Sequence, residues 1–80
     1  MLAIDIRKER LYPLRDLRKV IHEKTGMRVS YLSLFRYIRY GRKVPLAEDP
    51  VKMDKVHFPT GMHSSVEAFL RFIEEINENS

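Results

Sequence analysis

Residues 31 to 40 read YLSLFRYIRY. Wound on a helix at about 100° per residue, they separate into two sides. Tyr31, Leu34, Phe35 and Ile38 fall on one side, while Ser33, Arg36 and Tyr40 fall on the other with Tyr37, Leu32 and Arg39 at its flanks. A solvated helix face that only needs polarity is expected to carry Glu and Lys, and this face has neither. It offers guanidinium, hydroxyl and aromatic groups instead. A helix of this width fits the major groove of duplex DNA, where Arg can donate two hydrogen bonds to guanine and Ser can contact base or phosphate. The chemistry expected of this segment is recognition by hydrogen bonding.

Further candidates lie around it. Arg28 and Ser30 stand in the turn before the helix, and Arg42 and Lys43 follow Gly41, which ends it. Arg28, Arg39 and Lys43 are the type that holds phosphates without reading sequence. Farther along, Lys55, His57 and His63 flank Thr60 in a segment that reads as a hairpin. Three roles compete there: phosphate contact with Lys55 and both histidines on one side of the hairpin, a metal site completed by Asp54, and plain solvent exposure. His22 reads as a surface residue.

The elements that must position these groups are punctuated by proline and glycine. Residues 1 to 12 form an N-terminal arm. Pro13 opens a helical pattern of Leu14, Leu17, Val20 and Ile21, with proline at its favoured first-turn place and Gly26 as the stop. Residues 27 to 30 are a short turn in which Ser30 caps the second helix, so that 13 to 41 is a helix-turn-helix. Residues 42 to 52, with Pro45, Pro50, Glu48 and Asp49, read as a loop. From 53 to 64 two short runs flank the turn tripeptide Pro59-Thr60-Gly61, with Val56 and Phe58 alternating against Lys55 and His57, and Val56 and Phe58 do the packing. Ser64 and Glu67 have capping-box spacing for a last helix over 65 to 77, whose apolar face is Val66, Phe69, Leu70, Ile73 and Ile76. The predicted core joins Leu34, Phe35 and Ile38 to Leu17, Ile21, Phe69 and Ile73. The expected fold is mostly α with a small β-hairpin, in the order helix, turn, helix, hairpin, helix.

Eighty residues with 44% apolar and 32% charged suit one folded domain over 1 to 80. Charge is unevenly placed. Residues 1 to 44 carry twelve Lys or Arg against four Asp or Glu, a net of +8, whereas residues 45 to 80 carry three against seven, a net of −4. Such a dipole would orient the chain on a polyanion. Cysteine is absent, which excludes disulfides and thiolate chemistry and suits a reducing compartment. The first residues include Asp5, Arg7 and Lys8 where a signal peptide needs an apolar run. A cytoplasmic protein without membrane contact is expected. No glycine-rich phosphate loop, nucleophile elbow or acid-base constellation is present, so neither an enzyme nor a small-molecule substrate or cofactor is expected.

Residues 29 to 41, VSYLSLFRYIRYG, resemble the turn and second helix of excisionase-type and MerR-type winged-helix proteins. Those commonly read valine, serine, a few residues, threonine, leucine, aromatic, arginine, tryptophan; here Ser33, Leu34, Phe35, Arg36 and Tyr37 stand at the last five places. Residues 63 to 76, HSSVEAFLRFIEEI, are similar to the serine-led helix that follows the wing in a small excisionase-like family of unassigned function, and residues 53 to 58 stand where its wing strand begins. The likeness covers most of the chain. It departs in two places: Tyr37 replaces tryptophan, and the connection over 42 to 52 is longer than usual.

The resemblance implies a winged helix-turn-helix that sets a recognition helix in the major groove and a wing against the backbone or minor groove. It further implies sequence-preferring binding of double-stranded DNA, near the nucleoid, in recombination as a directionality factor or in transcription as a small regulator. An integrase or recombinase, or further copies of the chain on DNA, would then be its partners. The alternative of a different class is a protein-interaction adaptor on the same scaffold that uses the apolar or acidic side of the last helix.

Overall fold

The computed structural model describes residues 4–80; the first three residues of the predicted arm lie outside it. Three helices and a small antiparallel sheet make a mixed α/β architecture in the order β1 (Tyr12–Pro13), α1 (Leu14–Thr25), α2 (Tyr31–Arg39), β2 (Val56–Phe58), β3 (Gly61–Ser64) and α3 (Val66–Glu78). The expected succession of helices and hairpin is present. Strand β1 is an addition: the end of the arm pairs with the hairpin, giving the sheet order β1-β3-β2. Pro13 tolerates this because β1 is an edge strand, where a missing amide breaks no ladder. The same residue is the N-cap of α1 rather than its first helical residue.

Each helix begins and ends for a local reason. Helix α1 stops at Gly26, whose φ of 77° lets its amide donate back to the His22 carbonyl. Ser30 caps α2 as expected, its Oγ accepting from the Ser33 amide at 3.0 Å. Tyr40 is the C-cap of α2, so that the helix ends one residue before the predicted end.

The cap of α3 differs from expectation. Ser65, not Ser64, accepts the Ala68 amide at 2.9 Å, and Glu67 stays exposed. Ser64 is occupied in β3, where its hydroxyl donates to the Asp54 carbonyl at 2.6 Å. The carboxylate at this helix start comes from the arm. Glu9 accepts from the Ser65 hydroxyl at 2.6 Å and takes two hydrogen bonds from the Arg71 guanidinium, at 3.1 and 3.2 Å. Burial works to raise the Glu9 pKa, but the hydrogen bonds from Arg71, Ser65 and the Asp5 amide together hold it below its ordinary value of 4.5. Ile4 packs with Val56 and Ala68 under the same arm.

The main core joins Leu14, Leu17 and Ile21 of α1 to Leu34 and Ile38 of α2 and to Val66, Phe69 and Phe72 of α3. Two parts of the expected core are corrected. Phe35 is only partly buried at its edge, and in α3 the buried sector turns toward Ala68 and Phe72, leaving Ile73 and Ile76 only partly buried and Leu70 40% exposed. The turn follows from the second cluster, because Ile4 and Val56 cover Ala68 and draw that flank of the helix inward.

The stretch over 42 to 52 is better ordered than a loop. Arg42 and Val51 form an antiparallel bridge with hydrogen bonds of 2.8 and 3.0 Å, and Val44 and Val51 are buried in the core. Gly41, at φ 74°, makes the approach possible: a Cβ there would lie 2.4 Å from the Val51 carbonyl oxygen. Among the described residues no helix is long and apolar enough to cross a membrane.

Candidate nucleic-acid interface

Helix α2 rests on the core through Leu34 and Ile38, which leaves the opposite side to solvent. Arg36, Arg39 and Leu32 are exposed there, with Tyr40 at 62% exposure just past the helix end. The Arg39 guanidinium carbon sits 5.7 Å from the centre of the Tyr40 ring, so cation and aromatic present one surface. The helix has no acidic residue in its first turn and none elsewhere in YLSLFRYIR.

Two of the predicted contact residues have local partners. Ser33 is half-buried, and its Oγ accepts from the Ser30 hydroxyl at 2.9 Å, so both serines are engaged in starting the helix. The Ser33 hydroxyl proton can still turn outward. Tyr37 does not belong to the exposed face. It is half-buried, its ring lies 4.8 Å from that of Phe72 in α3, and its carbonyl accepts from the Met53 amide at 3.1 Å. Its position explains the difference: on the helical wheel Tyr37 flanks the Leu34 and Ile38 stripe on the side where α3 packs.

The C-terminal end of α2 borders a groove shared with the hairpin. Ile38 and Met62 form its apolar floor, and Arg39, Lys52, Lys55 and His57 line it. Lys52 was missed by sequence reasoning because residues 42 to 52 read as irregular; the Arg42–Val51 bridge is what carries it beside α2. Arg42 and Lys43 are exposed immediately after Gly41. Asp54, the acid nearest Lys55 in sequence, lies instead with its carboxylate 3.7 Å from Arg71.

The two hairpin histidines are not brought together. In the register His57 opposes Met62 and His63 opposes Val56, and cross-strand partners share a face, so His57 and His63 occupy opposite faces of the sheet. The expectation that Lys55, His57 and His63 line one side is therefore corrected: Lys55 and His57 do, and His63 does not. His63 packs edge-on against Phe58 with ring centres 4.8 Å apart, and its Nδ1 is 3.1 Å from the Gly61 carbonyl oxygen. The same separation removes the pair as joint ligands of one metal, and Phe58 packs here while remaining partly exposed. Thr60, at the tip, borders a hollow with Tyr31 and Phe35 of α2 and Arg15 and Asp16 of α1.

At the other end of α2, Arg28 is exposed and lines a hollow with Arg18, Lys19, His22 and Glu23 of α1. The two ion pairs among the described residues both belong to Arg71. Among the described residues the cations around α2 thus form no ion pair, and their field extends into solvent. No family model matches this chain, and neither the curated proteins nor the solved structures yield a match.

Proposed function

We propose that the chain is a winged-helix module that binds double-stranded DNA in a sequence-preferring way, with α2 as the recognition helix and the β2–β3 hairpin as the wing. The observation that carries this reading is the acid-free, solvent-facing side of α2, bearing Arg36, Arg39 and Tyr40 and continued by the Arg39, Lys52, Lys55 and His57 groove. Arg36 would donate to a base edge, and the Ser33 hydroxyl to a base or phosphate near it. Arg28, Arg39, Arg42, Lys43, Lys52, Lys55 and His57 would set the register on the backbone. Thr60 would approach the backbone from the wing tip. The acidic outer side of α3, with Glu67, Glu74, Glu75 and Glu78 exposed, would face away from the polyanion.

The motif resemblance extends this to an excisionase-like recombination directionality factor or a small transcriptional regulator. Titration of a mixed-sequence duplex across a range of salt tests the reading. Each phosphate contact adds about −0.9 to the slope of log affinity against log salt, so four to seven engaged cations give a slope on the order of −4 to −6. A salt-independent affinity would contradict it and favour the adaptor reading.

A further inference from the structure

Helix α1 has an outer stripe that the α2 reading does not use. Arg15, Arg18, Lys19 and His22 recur at helical spacing on one flank of the helix, beside the buried Leu14, Leu17 and Ile21 face, and all four are exposed. Like charges at such spacing destabilise a helix when nothing offsets them. Among the described residues none of them takes part in an ion pair. Three of the four, Arg18, Lys19 and His22, line the hollow that Arg28 and Val29 close from the turn before α2. Glu23 is the one acid in its lining, against three permanent cations and an imidazole.

The position of this hollow relative to α2 suggests its ligand. Arg28 and Val29 lead directly into the Ser30 cap, so the hollow lies at the N-terminal end of α2. The Arg39, Lys52, Lys55 and His57 groove lies at the C-terminal end. Nine residues at about 1.5 Å each make α2 roughly 13 Å long. The major groove is about 12 Å wide between the backbones that bound it. A helix inclined across that groove would bring one cationic cluster toward each backbone.

We propose that the hollow between α1 and the turn, lined by Arg18, Lys19, His22 and Arg28, is a second phosphate-binding site, which takes the DNA strand opposite the one held at the C-terminal end of α2. This rests on the reading of α2 as the recognition helix and adds a site on α1 to it. Such a site holds phosphate oxygens and reads no bases, so it contributes equally on every sequence.

The test compares the parent protein with Arg18→Gln/Lys19→Gln, Lys52→Gln/Lys55→Gln and the combined fourfold variant, each titrated with one 20-bp duplex at several salt concentrations. Removing two phosphate contacts flattens the slope by about 1.8, so between 50 and 200 mM salt each double variant loses about ten-fold less affinity than the parent does. The two reductions add in the fourfold variant if both clusters engage one duplex together. Circular dichroism checks that the variants stay folded, as all four residues are exposed. Parent-like slope and affinity in Arg18→Gln/Lys19→Gln, with Lys52→Gln/Lys55→Gln weakened, overturns the second site and leaves the α2 reading standing. A fourfold variant no flatter than either double variant overturns the two-strand arrangement. A parent protein with no salt-dependent affinity overturns both.

Discussion

Replacing Gly41 by alanine tests whether the bridge after α2 holds the proposed interface together. Gly41 and Gly26 both follow helices at nearly the same positive φ, 74° and 77°. An alanine in this region costs about 1–2 kcal/mol wherever it stands. At Gly26 nothing lies within 4 Å of an added Cβ, so that strain is the whole effect. At Gly41 the added Cβ would lie 2.4 Å from the Val51 carbonyl oxygen and 2.8 Å from Lys52 Cγ. Lysine can move, but the carbonyl cannot without breaking the Arg42–Val51 pair of hydrogen bonds. Each of those contributes about 0.5–1.5 kcal/mol, so Gly41→Ala should cost about 2–5 kcal/mol in total. The assay is urea unfolding followed by circular dichroism, with Gly26→Ala as the matched control. Gly41→Ala should also weaken duplex binding under native conditions, because Lys52 is displaced from beside Arg39. Equal midpoints for the two variants would refute the reasoning, showing that the bridge contributes nothing.

Three further outcomes are expected. Leu34→Ala, at a fully buried position, should cost about 2–5 kcal/mol, and Phe35→Ala clearly less because Phe35 is only partly buried; the reverse order in urea unfolding would show a misplaced helical phase. The Glu9 carboxylate has its pKa lowered by folding, so its contribution is complete above the unfolded value near 4.5 and is lost as pH falls through the lower folded value; the unfolding midpoint of the parent should therefore drop more steeply below about pH 5 than that of Glu9→Gln, and parallel curves would contradict the clasp. His63→Gln should leave duplex affinity unchanged while His57→Ala weakens it, since only His57 faces the groove at α2, and fluorescence anisotropy distinguishes the two.

What the sequence disclosed was local. As cap and stops, Ser30, Gly26 and Gly41 each act within a few residues, and the spacing of Leu14, Leu17, Ile21, Leu34 and Ile38 repeats with the helix, so the first two helices and the turn between them were readable. What it concealed depended on pairing at a distance. Strand β1 exists only because Tyr12 meets Ser64, and the Glu9 clasp spans from the arm to Ser65 and Arg71. No nearby pattern announces either. The histidine error is a matter of parity: a three-residue turn at Pro59-Thr60-Gly61 would set His57 opposite His63, whereas Phe58 pairs with Gly61, leaving a two-residue turn. One residue of register sends every side chain to the other face. The serine cap moved for a similar reason, since pairing Ser64 with Tyr12 holds it in β3 and leaves Ser65 to start the helix.

Arg36 is the residue on which the reading of α2 depends most, as it is exposed at the middle of the acid-free face. Bound sequences selected from random duplex DNA by the parent protein would supply a preferred site, and competition between that site and unrelated duplex would then be measured for the parent and for Arg36→Ala. Loss of a bidentate base contact removes about 1–3 kcal/mol of discrimination, a five- to more than hundred-fold fall in preference, with affinity for unrelated duplex reduced far less. Unchanged affinity and preference in Arg36→Ala would contradict base recognition by α2.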